Sequence, residues 1–380
     1  MISALYCGSF DPFTLGHLGV IEQALQYSIA PYHQIEKIYI CIGINSQKTP
    51  LFSEDQRLEM IKKTIKNRPR SNQIEVITYK GLTVDIAHKL GVSYLIRGIK
   101  KDDALSQNEE KRLSIINQEL SKARGFKLET LFFELKSNVL NITSSSLVKD
   151  LCSLGQYITV FSMVHPFVHQ KLMEIYLKPR FFKLFHKDCH SIADTYWQDL
   201  VLSYQNRSYH NLSHLGYMFN LLDIYTAQTG YKSADLELAI FAHDLVYDTT
   251  KDDNELQSAT KVLSWYGLKY CKPDSILTNI ILATSPQTSP TTKDETLIKD
   301  LDLSILGTLI LIIYNNYSSG IRQEYISYTK QDYINRRTKF LNSLLNSKRI
   351  FYTDFFYSRF ETQAKENLKY EIYSFRYLKD

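Results

Sequence analysis

Over the first 150 residues, short apolar runs alternate with stretches in which apolar residues recur at helical spacing. The apolar runs predict strands at Ser3–Cys7, Lys37–Ile44, Ile74–Thr78, Ser93–Ile96 and Glu129–Glu134. The helical spacing predicts helices at His17–Tyr27, Ser53–Lys66, Val84–Leu90 and Asn108–Ala123. Alternating strands and helices indicate an α/β domain with a parallel sheet, in which ligands bind at the carboxyl ends of the strands.

Beyond about residue 161 the strand pattern disappears and helical patterns follow one another. They predict helices at Pro166–Leu177, Ile192–Tyr204, His214–Gln228, Ala234–Val246, Glu255–Tyr266, Ser275–Ala283, Ile321–Leu345 and Phe360–Tyr377. We therefore predict an α/β domain at residues 1–168, a linker at 169–187, where Lys-Pro-Arg interrupts the periodicity, and an all-α domain at 188–380. A length of 380 residues agrees with two domains.

Composition narrows the class of protein. Apolar residues make up 44% and charged residues 22% of the chain, which is ordinary for a folded globular protein. The 45 basic and 40 acidic residues are interspersed, so the net charge of +5 predicts no nucleic-acid partner. Five widely spaced cysteines favour a reducing compartment, and the longest apolar run, Ile305–Ile313, is too short for a bilayer. Since the N-terminus lacks a signal-peptide pattern, we predict a cytoplasmic protein without a membrane partner.

The first candidate site begins where the first predicted strand ends. Residues 8–17, GSFDPFTLGH, join that strand to a helix that opens near His17. Glycines allow the backbone to approach phosphate, and the free N–H groups of a helix N-terminus attract anions. A Gly-His pair alone would be an ordinary helix cap, but the ten-residue string in this position indicates phosphate binding.

Three later segments reach the same predicted sheet edge. Lys48 follows the second strand, Arg97 ends another strand within IRGIK, and the hydroxyls of Ser144–Ser146 open a helix. Taken singly, these residues are typical of solvated surface charges and a helix cap. Together they predict one anion-binding crevice.

These motifs resemble those of bacterial phosphopantetheine adenylyltransferases, of the nucleotidyltransferase superfamily marked by (H/T)xGH. The matching pieces are GSFDPFTLGH, Lys48-x-Pro50 with Phe52, Gly81-Leu82, IRGIK and TSSSLVKDL. The resemblance covers the whole first domain. It implies a Rossmann-like nucleotidyltransferase fold, Mg²⁺, a homo-oligomer, and transfer of the adenylyl group of ATP to 4′-phosphopantetheine, giving dephospho-coenzyme A and pyrophosphate.

The resemblance also implies roles for individual residues. His17, Lys48 and Arg97 would be catalytic, and the acceptor would contact Ser9, Phe10, Lys48, Thr83 and Arg97. The nucleotide would contact Ser9, His17, Gly98, Ile99, Lys100, Glu110, Leu140, Ser144, Ser145 and Ser146. Residues 104–110 depart from the pattern of this family, which has an acidic-aromatic run there. Within this segment, Glu110 is the best match for the family's nucleotide-contacting glutamate.

The second candidate site lies in the helical half. It consists of YHNLSH, with His210 and His214 four residues apart, then His243-Asp244, and then Asp300 and Asp302. Four-residue spacing places two histidines on one helix face, and imidazole with carboxylate suits a divalent transition metal. A His-Asp dipeptide alone would be chance, but the ordered set predicts a metal site.

This half resembles the HD superfamily of metal-dependent phosphohydrolases, through YHNLSH, AHDLVYD, DNELQSA and DLDLSILG. The resemblance implies the metal ligands His214, His243, Asp244 and Asp302, with Asp300 as the rival for the last place. His210 matches a general acid, and Asp248, Asn254 and Glu255 would support the metal or bind substrate. The implied metal is Mn²⁺, Fe²⁺ or Zn²⁺. At residues 283–287 this chain lacks histidines that the related branch often carries.

Three functional hypotheses remain open. The first is a bifunctional enzyme, a transferase with a phosphohydrolase of unidentified substrate. In the second, the helical half binds a nucleotide as a sensor without cleaving it. In the third, the transferase uses another acceptor, such as nicotinate mononucleotide or glycerol phosphate.

Overall fold

The protein is represented by a computed structural model, which describes residues 2–30, 33–45, 47, 49–100, 104–134, 143–185, 190–265 and 275–375. The chain forms two compact units. The first comprises Met1–Leu154 with Thr159–His169, and the second comprises Gly155–Ile158 with Gln170–Asp380.

The first unit contains a five-stranded sheet. The strands of this unit are β1 (Ser3–Gly8), β2 (Ser28–Ala30), β3 (His33–Gln34), β4 (Lys37–Ile44), β5 (Ile74–Lys80), β6 (Tyr94–Ile99) and β7 (Glu129–Glu134). Of these, β2 and β3 pair antiparallel as a separate two-stranded sheet. The sheet order is β5-β4-β1-β6-β7 and every neighbouring pair is parallel. Because strand order reverses at β1, a crevice opens at the carboxyl ends of β1 and β6, where ligands bind in such sheets. All five predicted strands of the sheet are confirmed.

Helices cover this sheet. They span Leu15–Gln26, Glu54–Ile65, Thr83–Lys89, Ala104–Ala123 and Ser145–Ser153. The predicted capping box at Ser53 is present, since the Ser53 and Gln56 side chains each bond the other's backbone N–H. Two buried apolar clusters pack the unit, one including Ile21, Ile40 and Ile96 and the other Leu5, Val84 and Leu95.

The second unit is helical throughout its described residues. Its helices span Pro166–Tyr176 (shared with the first unit), Lys178–Phe182, His190–Tyr204, Leu212–Thr229, Ala234–Ala242, Asn254–Trp265, Ile276–Leu282, Lys293–Leu303, Leu311–Glu324, Lys330–Leu345 and Asp354–Ser374. The apolar residues buried here include Phe219, Phe241, Leu301 and Phe356.

Three features of the second unit differ from the predicted pattern. The single helix predicted at Ile321–Leu345 is two helices, because the chain turns after Glu324 and the Thr329 side chain caps a new helix by accepting the N–H of Asp332. The helix Lys293–Leu303 was not predicted. Within the predicted linker at 169–187, the predicted helix that begins at Pro166 is followed by a helix that was not predicted, Lys178–Phe182, and Leu172 and Phe181 are fully buried.

No helix of the described residues is both long enough and apolar enough to cross a membrane.

Candidate functional site

A cavity of about 260 Å³ lies at the carboxyl ends of β1 and β6. It brings together the predicted residues Ser9, Phe10, His17, Arg97, Gly98, Ile99, Lys100, Glu110 and Ser144. A Cβ atom at Gly98 would lie 2.9 Å from Val20 Cγ2, so only glycine lets the strand approach the helix so closely. Residues from β1, β6 and two helix N-termini therefore share one pocket.

His17 is fixed as a neutral hydrogen-bond donor. It lies in the first turn of helix Leu15–Gln26, where its Nδ1 accepts the backbone N–H of Thr14 at 3.0 Å. Burial lowers the pKa of His17 to about 4, so the ring is neutral at pH 7. A neutral ring whose Nδ1 accepts must carry its proton on Nε2. The ring packs edge-on to Phe10, with centroids 5.1 Å apart, which restricts its orientation.

Arg97 and Glu110 form a partly satisfied pair in the same cavity. Arg97 Nη1 donates to the Cys7 carbonyl at 3.3 Å, and Arg97 Nε lies 3.5 Å from Glu110 Oε2. Glu110 Oε2 is buried and, within the described residues, accepts no hydrogen bond. Buried acceptors without a donor are rare, so this oxygen marks a place where a ligand donor fits.

Asp11, which was not among the predicted site residues, holds the backbone at Leu51 and Phe52. Its two carboxylate oxygens accept the N–H groups of Leu51 and Phe52, each at 2.9 Å, and Lys149 lies 3.3 Å away. The GSFDPFTLGH motif contains Asp11, but the motif alone does not indicate that this residue is buried. Its exposure of only 5% results from the fold.

The other predicted residues lie elsewhere or outside the described residues. Thr83 is hydrogen-bonded to Tyr79 through their hydroxyls at 3.1 Å. Ser145 donates to the Pro12 carbonyl at 2.8 Å, and Ser146 is exposed. Lys48 and Leu140 lie outside the part of the chain that the structure describes.

Comparison with known proteins concerns this first unit. Residues 5–151 match the family described as cytidylyltransferase-like. A phosphopantetheine adenylyltransferase of Porphyromonas gingivalis is 37% identical over 158 residues, which cover 42% of this chain and 92% of that protein. Those of Flavobacterium psychrophilum and Zymomonas mobilis are 35% and 34% identical, covering 41% and 47% of this chain and 91% and 93% of theirs. Through these residues the chain belongs to the phosphopantetheine adenylyltransferase family. Its first unit is a nucleotidyltransferase.

Beyond the residues that carry the phosphopantetheine adenylyltransferase match, four side chains converge in the helical unit. His214 Nε2 lies 3.3 Å from His243 Nε2 and 3.1 Å from Asp302 Oδ1, and Asp244 Oδ2 lies 3.1 Å from His243 Nε2. Three helices supply them: His214 from Leu212–Thr229, the His243-Asp244 pair from the end of Ala234–Ala242, and Asp302 from Lys293–Leu303. Three of the four predicted ligands, His214, His243 and Asp302, therefore face one point, and Asp244 lies beside them against His243.

The second nitrogen of each imidazole is held by a partner outside the cluster. Tyr209 Oη lies 3.0 Å from His214 Nδ1, and His243 Nδ1 donates to the Ile240 carbonyl at 3.0 Å. This arrangement directs both Nε2 atoms inward, as metal-ligating histidines require. Although burial favours the neutral ring, the carboxylates of Asp244 and Asp302 raise the pKa of His243 to about 9. The cluster therefore attracts positive charge, and the donor set fits a divalent metal ion.

The structure distinguishes Asp302 from Asp300, the alternative residue for the last ligand position. Asp300 is fully buried and faces the start of helix Asp354–Ser374, where its carboxylate accepts the N–H groups of Tyr352 and Thr353 at 2.7 and 2.8 Å, and the Thr353 hydroxyl at 2.7 Å. Two residues along a helix is a rotation of about 200°, so only one of the two carboxylates reaches the cluster.

His210 borders the cluster, but not from the helix face that its spacing predicts. Asn211 caps the helix that begins at Leu212, so His210 precedes it and does not share a helix face with His214. His210 Nδ1 lies 2.6 Å from Glu324 Oε2, a partner 114 residues away that the sequence analysis did not select. Together with His243, Asp244 and Asp302, His210 lines a cavity of about 360 Å³.

Of three further predicted residues, Asn254 and Glu255 line this cavity, and Asp248 is hydrogen-bonded to Asn254. Asn254 closes a loop by accepting the Asp248 N–H at 2.9 Å and donating to the Asp248 carbonyl at 2.9 Å. The Asp248 carboxylate accepts the Thr250 N–H and hydroxyl, so these two side chains shape the loop. Glu255 lines the cavity, and burial, with the charges of Asp244 and Asp302, raises the pKa of its carboxyl.

Proposed function

We propose that the first unit transfers the adenylyl group of ATP to 4′-phosphopantetheine, releasing pyrophosphate and dephospho-coenzyme A. The observation that carries the proposal is the shared cavity of His17, Arg97, Lys100 and Ser144 at the switch point of the sheet. The relatives named phosphopantetheine adenylyltransferase support the choice of acceptor. A cavity that combines fixed donors and cations suits two polyanionic substrates.

In this proposal the acceptor phosphate attacks the α-phosphorus in line, and the chain positions and stabilises charge without forming a covalent bond. His17 donates from Nε2 to a phosphate oxygen and keeps its proton, since Nδ1 is occupied by the Thr14 N–H. Arg97 and Lys100 offset the negative charge that develops. Lys48 would contact the acceptor phosphate, as the family resemblance implies, and Glu110 Oε2 would accept a hydroxyl of the nucleotide.

The family resemblance implies Mg²⁺, and the residues of this unit fit an ion that binds together with ATP. Magnesium in nucleotide sites is bound largely by substrate phosphates and water, with one or two carboxylates. The described cavity lining supplies a single carboxylate, Glu110, which is already beside Arg97. We propose that the ion enters with the nucleotide, where it would neutralise phosphate charge.

The test is pyrophosphate release by the purified full-length chain with ATP and Mg²⁺. The proposal expects turnover with 4′-phosphopantetheine and a product with the mass of dephospho-coenzyme A. Nicotinate mononucleotide and glycerol phosphate serve as matched acceptors. Turnover with one of these and none with 4′-phosphopantetheine would reject the proposed acceptor and leave nucleotidyl transfer intact.

We further propose that the helical unit is a metal-dependent phosphohydrolase of the HD type. The observation that favours it is the convergence of His214, His243 and Asp302 on one point beside a cavity, with Asp244 against His243. These four residues would hold a divalent ion such as Mn²⁺, Fe²⁺ or Zn²⁺, which activates water and polarises a phosphoryl group when bound. Lys251 and Arg336 line the same cavity and suit an anionic substrate.

Metal content and phosphate release test this second activity. The proposal expects about one equivalent of metal per chain after purification with Mn²⁺, and phosphate release from at least one member of a phosphoester panel. A chain that carries the metal and releases no phosphate from any ester, yet binds a nucleotide, would instead support the nucleotide sensor.

A further inference from the structure

Two cysteines of the first unit lie side by side on neighbouring strands. Cys7 on β1 and Cys41 on β4 are register partners in a parallel pair. Both side chains belong to one buried cluster, with Leu5 and Val84, so they lie on the same face of the sheet. In-register residues of neighbouring strands have Cα atoms about 4.8 Å apart, inside the range of about 4.4–6.8 Å that disulfides span. The backbone therefore permits a bond between these two thiols, neither of which is in a disulfide in this structure.

The surroundings of Cys7 favour the thiolate, which is the reactive form of cysteine. Burial raises the pKa of the Cys7 thiol, but its contacts with the Cys41 thiol and the Tyr79 hydroxyl outweigh burial and lower that pKa. The positive charge of Arg97 lowers the same pKa further. Cys7 lines the cavity of about 260 Å³ with Arg97, whereas Cys41 is fully buried. Of the two cysteines, Cys7 is therefore the one that a small oxidant in the cavity meets first.

From this geometry we infer that Cys7 and Cys41 form a redox modification site, in which a peroxide oxidises Cys7 and Cys41 closes the product to a disulfide. The Cys7 sulfur attacks one oxygen of hydrogen peroxide, the O–O bond breaks, hydroxide leaves, and Cys7 becomes a sulfenic acid. The Cys41 sulfur then attacks the Cys7 sulfur, and the S–S bond forms. The sulfenic oxygen leaves as water with the proton of the Cys41 thiol. Thiols of a reducing compartment reverse the modification by exchange.

The disulfide reaches the transfer site through Arg97. Arg97 Nη1 donates to the Cys7 carbonyl at 3.3 Å, so a displacement of Cys7 also moves an acceptor that positions Arg97. The Cβ atoms of a disulfide are about 3.8 Å apart, so closing the bond draws β1 and β4 together by about 1 Å at this point. Misplacing a positioned group by about 1 Å costs up to about 100-fold in rate. This effect on rate, unlike the disulfide itself, rests on the proposed adenylyl transfer.

Peptide mapping of the full-length chain tests the inference. The protein is treated with hydrogen peroxide, its remaining thiols are alkylated, and a digest is analysed by mass spectrometry with and without dithiothreitol. We expect a peptide pair joined through Cys7 and Cys41 that separates on reduction. In the same samples, freed of peroxide, kcat for pyrophosphate release should fall about 10- to 100-fold and recover after dithiothreitol treatment.

Two variants distinguish this pair from general oxidation. In Cys41→Ala, Cys7 should stop at the sulfenic acid, which dimedone traps, and no joined peptide should contain Cys7. Cys152→Ala is the matched control, because Cys152 is also a buried free thiol, but burial raises its pKa to about 12. This variant should form the joined peptides and lose rate as wild type does. The wild-type peptide map decides the inference even if Cys41→Ala is unstable.

The outcomes separate the modification from the proposed reaction. Peroxide-treated wild type in which Cys7 and Cys41 are not joined would overturn the inference. Joined peptides with an unchanged kcat would overturn the effect on rate. No turnover with any acceptor before oxidation would reject the proposed transferase, while joined peptides would still support the cysteine pair.

Discussion

Replacing Asp300 and Asp302 one at a time should separate support of the fold from binding of metal. The two carboxylates lie two residues apart on helix Lys293–Leu303. Asp302 Oδ1 faces His214 Nε2 at 3.1 Å, whereas Asp300 accepts three hydrogen bonds from Tyr352 and Thr353. Asp300→Ala should therefore destabilise the apo protein, and Asp302→Ala should abolish metal retention.

The magnitudes follow from these contacts. Hydrogen bonds to a charged group are worth about 1.5–3 kcal/mol each, and Asp300→Ala leaves the backbone N–H groups of Tyr352 and Thr353 without their acceptor. We expect a loss of about 3–5 kcal/mol, and a melting temperature lower by roughly 10 °C in a unit of this size. Asp302→Ala removes a carboxylate from an acidic cluster, so apo stability should change by less than about 1 kcal/mol.

Two measurements on each variant decide the matter. Metal per chain is determined by mass spectrometry after loading with Mn²⁺ and desalting, and thermal unfolding is followed with a chelator present. The reasoning is refuted if Asp302→Ala retains wild-type metal, or if it lowers the apo melting temperature as far as Asp300→Ala does.

Three further predictions concern the first unit. His17→Ala should lower kcat for pyrophosphate release by about 10²–10³-fold, because it removes an oriented hydrogen-bond donor. Calorimetry should still detect ATP binding by this variant. Near-wild-type turnover would contradict the role given to His17. Since burial lowers the pKa of His17 to about 4, the ring takes up a proton only below the ordinary histidine range, and kcat should show no His17-dependent fall between about pH 5.5 and 8. A step near pH 6.5 that disappears in His17→Asn would argue against a neutral donor. Asp11→Asn places an amide donor against the N–H of Leu51 or Phe52, and should raise KM for the acceptor about tenfold with KM for ATP unchanged, as initial-rate kinetics would show.

The sequence carried enough information for the first site because its strands are parallel. Ser9 and Arg97 each follow or end an apolar run, and parallel strands present their carboxyl ends at one edge. Local signals also sufficed for the capping box at Ser53. The burial of Asp11 could not be read locally, since its partners Leu51 and Phe52 lie 40 and 41 residues away.

In the helical unit, contacts with residues distant in the sequence determine which side chains reach the cluster, and the local sequence pattern does not show those contacts. Asp300 and Asp302 are equivalent in a linear motif, and they are distinguished by the contacts of Asp300 with Tyr352 and Thr353 and of Asp302 with His214. Glu324 lies 114 residues from His210, so no local spacing connects the two. The interruption before Lys330 was missed because apolar residues continue at helical spacing across it, through Tyr325 and Ile326.

The attachment of Asp300 to Tyr352 and Thr353 has a consequence for biosynthesis. All four proposed metal ligands are translated by residue 302, but the helix that carries Asp302 is hydrogen-bonded through Asp300 to a turn about fifty residues later. Asn367, later still, donates to the carbonyls of Leu306 and Thr308, just beyond that helix. A nascent chain on the ribosome therefore contains all four residues before it contains the segments that hold the helix of Asp302 in place.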